Sequence, residues 1–165
     1  MELETKVLSL QIQEAFYNSK ETLGTAESCT GGRIAEALIA VPGTSQYFKG
    51  GIVSYTNEVK ENLLGVSHEV LEEQTAVCEE VAKEMVIGAC KTLNVDYAIS
   101  STGIAGPTGG TPNIPVGTIW LGYGSKDDVR TFLLIEDYGR DINLAIATNK
   151  ALHLLIDYLK EKHKQ

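Results

Sequence analysis

The chain has 165 residues, of which 43% are hydrophobic and 22% are charged, and its formal net charge is −8. This length fits one domain with a sizeable core, and the composition argues against a disordered or a membrane-spanning chain. The acidic balance argues against a nucleic-acid partner, because binding to phosphate backbones needs clustered lysine and arginine.

Cysteine usage and the N-terminus favour a cytoplasmic protein. The three cysteines form no C-x-x-C pair, which favours reduced thiols over a disulfide framework or a zinc site. The three histidines form no H-E-x-x-H motif, and we expect neither a metal nor a cofactor. Residues 1–6 are acidic and lack the character of a signal peptide.

Hydrophobic periodicity predicts helices that alternate with strands. In chain order these are a helix at 4–19, a strand at 22–26, a helix at 34–40, a strand at 50–56, helices at 57–65, 68–74 and 79–93, a strand at 97–101, strands at 116–123 and 129–135, and a helix at 141–160. Asn57 is the predicted N-cap of its helix, and Gly65 ends it. The alternation, broken by one late hairpin, predicts an α/β fold in which residues 1–165 form a single three-layer α/β/α domain with a mixed sheet.

Three of the helices have a predicted buried side, defined by apolar residues at helical spacing. On the first these are Leu8, Ile12, Ala15 and Phe16; on the helix at 79–93 they are Val81, Met85, Gly88, Ala89 and Leu93; on the last they are Ile142, Ala145, Ile146, Leu152, Leu155, Ile156 and Leu159.

The segment 25–33, Thr-Ala-Glu-Ser-Cys-Thr-Gly-Gly-Arg, joins the first strand to the second helix. It places Ser28 and Cys29 at a helix N-terminus, where unpaired N–H groups and the helix dipole favour an anion or a developing oxyanion. The alternative is an ordinary strand-to-helix turn with Ser28 or Thr30 as N-cap. The segment alone does not decide between the two.

Three loops leave predicted strands at their carboxyl ends, where α/β sheets bind ligands. They are residues 27–32, 55–60 and 102–110. The loop at 102–110 is rich in glycine, which lets the backbone approach a ligand closely. It contains neither of the phosphate-binding motifs G-x-x-x-x-G-K-[ST] and G-x-G-x-x-G. The alternative is a long connection without a function. Tyr55 and Lys60 are equipped for general base chemistry in one cleft, although most lysines are merely solvated.

These same segments resemble motifs of the CinA C-terminal domain family, the nicotinamide-nucleotide amidohydrolases. The similar stretches are Thr25–Gly32, Ser54–Lys60, and Gly103–Pro107 followed by Pro115–Thr118, and the resemblance covers about residues 5–160. It implies an enzyme that hydrolyses the carboxamide of nicotinamide mononucleotide to nicotinic acid mononucleotide and ammonia. The resemblance places a catalytic serine on Ser28, assisted by Lys60 and Tyr55.

The resemblance also implies a pocket for a small-molecule substrate, and Arg140 as the arginine that meets the substrate phosphate. The other implied binding residues are Glu27, Thr30, Gly31, Gly32, Thr102, Gly103, Ile104, Ala105 and Gly106. The chain departs from the family pattern at four positions. Ile114 replaces a lysine, Asn143 and Leu144 stand where another arginine is expected, and Cys78 replaces an N-cap serine.

The implied mechanism is attack by Ser28 on the amide carbon, with Lys60 or Tyr55 as the base and N–H groups of Gly31, Gly32 or the glycine-rich loop around the oxyanion. A free lysine of pKa about 10.4 is neutral in only about one molecule in 2,500 at pH 7, so its pKa must be lowered. Cys29 is a rival nucleophile, but no histidine is evidently available to activate it.

Two other functions stay open. One is a non-catalytic nucleotide-binding sensor or partner module of the same fold, and the other is a DNA-binding competence factor, which the acidic composition disfavours. A small α/β domain with an apolar C-terminal helix is also expected to form a homodimer.

Overall fold

The computed structural model of the chain describes residues 2–164. Its helices are α1 (Leu3–Phe16), α2 (Arg33–Ile39), α3 (Asn57–Leu64), α4 (His68–Gln74), α5 (Glu79–Leu93) and α6 (Arg140–His163). Its strands are β1 (Leu23–Glu27), β2 (Phe48–Val53), β3 (Tyr97–Gly103), β4 (Ile119–Ser125) and β5 (Asp128–Leu134). No helix in this range is both long enough and apolar enough to cross a bilayer.

The five strands form one mixed sheet in the order β2-β1-β3-β4-β5. Strand β1 runs parallel to β2 and β3, whereas β4 is antiparallel to both β3 and β5. The carboxyl ends of β1, β2 and β3 therefore meet at one edge of the sheet. The predicted α/β fold with a mixed sheet is confirmed.

Helices cover both faces of the sheet, which gives three layers. Apolar residues of α1, α2 and α6 pack on one face, with Leu23 and Ile99 of the sheet. Residues of α3, α4 and α5 pack on the other face, with Ala26 and Ala98. Strand β1 is buried along its whole length because it lies in the interior of the sheet and is covered on both sides.

The connection between β2 and α3 differs from the prediction in one detail, the residue that caps the helix. Thr56, not Asn57, is the N-cap of α3, because its hydroxyl accepts a hydrogen bond from the Val59 N–H at 3.3 Å. Gly65 ends the helix in the left-handed conformation, as predicted, with a φ of 67°.

The buried side of α6 was predicted incorrectly over its first two turns. Ile142 and Ile146 are exposed at 53% and 37%, and Ala145 is half-buried. Leu144 and Ala147 are buried instead, in phase with Leu152, Leu155, Ile156 and Leu159. Extending that later stripe back by steps of four residues leads to Thr148 and Leu144, so helical period outweighs local hydrophobicity here.

Candidate active site

Ser28 lies at the carboxyl end of β1, where the chain leaves the sheet. Its N–H still donates to the Ser101 carbonyl of β3 at 2.9 Å, so the serine backbone continues the ladder. Gly31 and Gly32 follow with φ values of 59° and 104°, a region that favours glycine, and they turn the chain into α2. Ser28 is thus held by the sheet and not by a free loop.

Lys60 reaches Ser28 from the first turn of α3. Its Nζ lies 2.8 Å from the Ser28 Oγ and 2.8 Å from the Ser54 carbonyl, to which it donates. The residue is only 1% exposed, and burial lowers the pKa of its amine from 10.5 to about 8. About a tenth of such amines are neutral at pH 7, and a neutral amine can accept the serine proton.

Tyr55 lies at the rim of the same cleft. Its side chain is 60% exposed, and within residues 2–164 its phenol has no hydrogen bond to Ser28 or Lys60. The structure therefore brings Tyr55 beside the Ser28–Lys60 pair without joining it to that pair.

The loop after β3 forms the opposite wall of a cleft of about 360 Å³. Arg140, at the start of α6, donates from Nη1 to the Gly106 carbonyl at 2.8 Å. The cleft is lined by Ser28, Cys29, Tyr55, Asn57, Lys60, Ala76, Val77, Thr102, Gly103, Ile104, Ala105, Gly106, Thr108, Gly109 and Arg140. Nine of the thirteen residues predicted for the site are among them.

Gly103 and Gly106 are glycines for a steric reason. A Cβ on Gly103 would lie 2.6 Å from the Ile119 Cα, and one on Gly106 would lie 2.4 Å from the Val116 Cγ1. Gly106 also has a φ of 87°. The loop can therefore fold closely onto the segment that leads into β4 and leave the cleft open on its other side.

Glu27, Thr30, Gly31 and Gly32 were expected to bind substrate, but the structure does not place them in the cleft lining. The Glu27 carboxylate is 1% exposed and accepts from the Thr30 hydroxyl at 2.6 Å and from the N–H groups of Ile34 and Ala35 at 2.8 and 3.0 Å. These two N–H groups belong to the first turn of α2. The helix mouth expected to hold an anion is therefore occupied by the protein's own carboxylate.

The details of this turn also differ from both interpretations of the segment. The N-cap of α2 is Gly32, and neither Ser28 nor Thr30 fills that position. The Gly31 N–H donates to the Ser28 carbonyl at 3.1 Å, so it is not free to hold an oxyanion.

Cys29, the rival nucleophile, lines the cleft but is almost fully buried. Burial raises the pKa of its thiol to about 11, so the thiol stays protonated at neutral pH. The three histidines contact carboxylates of Glu61, Glu4 and Glu21, outside the cleft lining. Cys29 thus has no imidazole to activate it in the described part of the chain.

Several lining residues were missed by sequence reasoning. Asn57 precedes Lys60 by three residues on α3, and that helical spacing was a usable signal. Ala76 and Val77 carried no signal; the Thr102 hydroxyl, which donates to the Ala76 carbonyl at 2.7 Å, ties their segment to the end of β3.

Asn143 is a missed residue behind the cleft wall. Its side-chain amide donates to the Ala105 carbonyl at 3.1 Å and to Asp137 at 2.9 Å, and accepts from the Tyr138 N–H at 2.8 Å. Asn143 and Leu144, where an arginine was expected, are both buried, so neither position supplies a cation to the cleft. No group of three or more potential metal ligands occurs within residues 2–164.

Comparison with known proteins gives one consistent family. The family model for the CinA C-terminal domain matches residues 5–159. A CinA-like protein of Leptospira borgpetersenii is 46% identical over 153 residues, which is 91% of this chain and 36% of the relative. A putative competence-damage inducible protein of Clostridium kluyveri is 49% identical over 131 residues, 79% of this chain and 32% of the relative. The chain thus spans about a third of the length of these curated relatives.

Two solved structures superpose on this chain along nearly its whole length. The competence/damage inducible protein CihA of Agrobacterium tumefaciens superposes with a TM-score of 0.91 at 34% identity, covering 97% of this chain and 99% of that one. A CinA superfamily protein of Klebsiella pneumoniae gives a TM-score of 0.90 at 32% identity, covering 95% and 98%.

Proposed function

The chain belongs to the CinA C-terminal domain family, and from this premise and the Ser28–Lys60 contact we propose that it is an amidohydrolase. Its proposed reaction is hydrolysis of the carboxamide of nicotinamide mononucleotide, which yields nicotinic acid mononucleotide and ammonia. The observation that carries the proposal is the 2.8 Å contact between a serine hydroxyl and a buried lysine amine whose pKa is lowered to about 8.

The proposed chemistry has two halves. Neutral Lys60 takes the Ser28 proton while the Ser28 Oγ attacks the carboxamide carbon, and the resulting ammonium then protonates the leaving amine, which departs as ammonia. A water molecule next gives a proton to Lys60 and attacks the ester carbon. The serine regains its proton as the carboxylic acid product leaves.

The proposed substrate suits this base. Its pyridinium ring is a cation and disfavours the charged form of a nearby lysine, in the same direction as burial. Arg140 is proposed to meet the substrate phosphate, and Tyr55 to assist at the rim. The loop Thr102–Gly106 is proposed to line the binding pocket.

The direct test is ammonia release from nicotinamide mononucleotide by wild-type protein, with product identified by mass spectrometry. Ser28→Ala and Lys60→Met are expected to lose nearly all turnover while remaining folded. Ser45→Ala and Lys49→Met, at exposed positions outside the cleft lining, are the matched controls. Wild-type turnover by Ser28→Ala would refute the serine mechanism.

A non-catalytic binding module is the second candidate. It is favoured by Tyr55, a proposed catalytic residue, which lines the cleft but makes no hydrogen bond to Ser28 or Lys60 within residues 2–164. A calorimetric titration with the mononucleotide beside the ammonia assay separates the two candidates. Binding without product supports the module, and product supports the enzyme.

We also propose that the protein works in the cytoplasm as a homodimer. Three free cysteines fit a reducing compartment. Sedimentation equilibrium measures the mass in solution, and a monomer at micromolar concentration would contradict the dimer.

A further inference from the structure

We propose that Glu27 is a positioning residue for Ser28, a role that rests on the proposed function. Its carboxylate binds the Thr30 hydroxyl within the turn that carries Ser28 and the first turn of α2 at the far end, and it does so from outside the cleft. Glu27 is the residue immediately before Ser28 and the last residue of β1.

The first step is the environment of the carboxylate. Glu27 is buried, and within residues 2–164 no lysine, arginine or histidine forms an ion pair with it. Its oxygens instead accept from one hydroxyl and from two N–H groups at the start of α2. A buried carboxylate satisfied by donors of the next turn and helix connects β1 directly to α2.

The second step is the direction of the hydrogen bonds. The Thr30 hydroxyl gives its single proton to Glu27, so in its 2.7 Å contact with Ser101 it must accept. The Ser101 hydroxyl therefore donates to Thr30, and its oxygen lies 3.4 Å from the Ser28 N–H. The series of hydrogen bonds from Glu27 through Thr30 to Ser101, here called the hydrogen-bond chain, thus ends beside the backbone N–H of Ser28.

The third step is how this hydrogen-bond chain restricts the movement of the turn. Ser28 is held at one end by the Ser101 carbonyl, and the first turn of α2 is held at the other end by Glu27. Gly31 and Gly32 lie between these anchors, and both adopt left-handed conformations. Without the carboxylate, the turn after Ser28 would keep only the backbone hydrogen bonds from the Gly31 N–H to the Ser28 carbonyl and from the Arg33 N–H to the Thr30 carbonyl. We expect the Ser28 Oγ then to shift relative to Lys60.

The test is Glu27→Gln, which keeps the shape but replaces one acceptor oxygen with a donor that faces a backbone N–H. We expect kcat to fall about 100-fold, as a displacement of about 1 Å can cause, while KM for nicotinamide mononucleotide stays near the wild-type value. If Glu27 bound the substrate directly, the substitution would raise KM instead. An unchanged kcat would overturn the proposal.

Two variants keep this result interpretable. Ser67→Ala removes the N-cap of α4, where the hydroxyl accepts from the Val70 N–H, and should lower the melting temperature without changing kcat. Thr30→Val breaks the same chain as Glu27→Gln, so the two effects on kcat should be less than additive in the double variant. Full additivity would contradict a shared chain, and Thr30→Val alone supplies the test if Glu27→Gln does not fold.

A second readout separates this inference from the substrate assignment. Diisopropyl fluorophosphate labels an activated serine without any amide, and mass spectrometry measures the labelling rate at Ser28. If the mononucleotide is not the substrate, wild-type Ser28 should still be labelled, and Glu27→Gln should slow that labelling. Equal labelling rates in the two proteins would overturn the positioning role whatever the substrate.

Discussion

Lys60 combines a chargeable amine with almost complete burial, which most lysines avoid. Two oxygen partners, the Ser28 hydroxyl and the Ser54 carbonyl, satisfy the amine, and no carboxylate within residues 2–164 forms an ion pair with it. Desolvation by burial is therefore the main cause of the lowered pKa of Lys60, and the neighbouring Cys29 opposes it only in part. A lysine in this environment is suited to act as a base near neutral pH.

The first prediction concerns pH. Because only neutral Lys60 can accept the serine proton, kcat/KM should rise with pH and level off above a pH of about 8. Steady-state ammonia release between pH 6 and 9 measures the profile. A flat profile across that range would mean that another group is the base.

The second prediction concerns stability. Between pH 8 and 10.5 the unfolded chain binds the Lys60 proton more tightly than the folded protein does, so the free energy of unfolding should rise with pH across this window. Below pH 8 the buried ammonium destabilises the folded protein by its full amount. Lys60→Met should therefore stabilise the protein at pH 7 by about 2 kcal/mol, after allowing for lost hydrogen bonds. Urea unfolding at pH 7 and pH 10.5 measures the difference, which should shrink at the higher pH. An equal effect at both values would contradict the pKa assignment.

At the scale of elements, α6 supports the cleft wall through its first turn. Asn143→Ala frees the Ala105 carbonyl and the Tyr138 N–H, so the loop after β3 should lose its fixed position. We expect KM to rise about tenfold, equivalent to about 1.4 kcal/mol, with a smaller change in kcat. The control is Asn149→Ala on the same helix, whose amide oxygen accepts from Thr5 away from the cleft. Equal kinetics in both variants would contradict the role of Asn143.

The contact between α3 and α5 gives a steric prediction. A Cβ on Gly88 of α5 would lie 2.0 Å from the Leu64 carbonyl oxygen at the end of α3, so Gly88→Ala must displace the helix that carries Lys60. We expect a loss of about 2 kcal/mol in unfolding free energy together with reduced turnover. Gly65→Ala has no atom within 4 Å of its new Cβ and should cost only about 1 kcal/mol through its left-handed φ. Urea denaturation compares the two, and a smaller loss in Gly88→Ala would refute the steric argument.

Element positions were largely predictable because local pattern and tertiary burial agree for most of this chain. The helix over Glu79–Leu93 and the capping glycine at Gly65 followed directly from periodicity and turn chemistry. The start of α6 did not, since Ile142 is apolar but faces outward while Asn143 is polar but buried. The burial of Asn143 depends on its hydrogen bond to the Ala105 carbonyl, which lies 38 positions earlier in the chain, and no local sequence pattern indicates such a contact.

The candidate site was predictable to the same depth. The three loops that meet at the cleft were predicted because they follow strand ends, and the carboxyl ends of parallel strands converge. Within these loops, the choice of Ser28 and Lys60 came from the family resemblance. Glu27 was expected to bind substrate because it adjoins Ser28, the proposed nucleophile, although the alternation of side chains along a strand argues against that placement. Strand alternation places neighbouring side chains on opposite faces, which is why Glu27 lies behind the wall and Ser28 in it.

At the scale of the whole molecule, the two apolar cores share one sheet. Leu23 contributes to one core and Ala26 to the other, from the same strand. Neither core can be exposed without disrupting β1. We therefore expect one calorimetric unfolding transition, with equal calorimetric and van't Hoff enthalpies per unfolding unit, and two resolved transitions would contradict a single domain.

The residues of the cleft are spread along the chain, from Ser28 near its start to Arg140 at the first turn of the last helix. During translation Ser28 and Lys60, the proposed nucleophile and base, emerge from the ribosome long before α6, which supplies part of one apolar core. A nascent chain that ends before this helix would therefore lack both the opposite wall of the cleft and a stable contact between these two residues. Cutting the gene within the exposed tip at residues 111–113 should accordingly give two inactive fragments that regain activity only when expressed together.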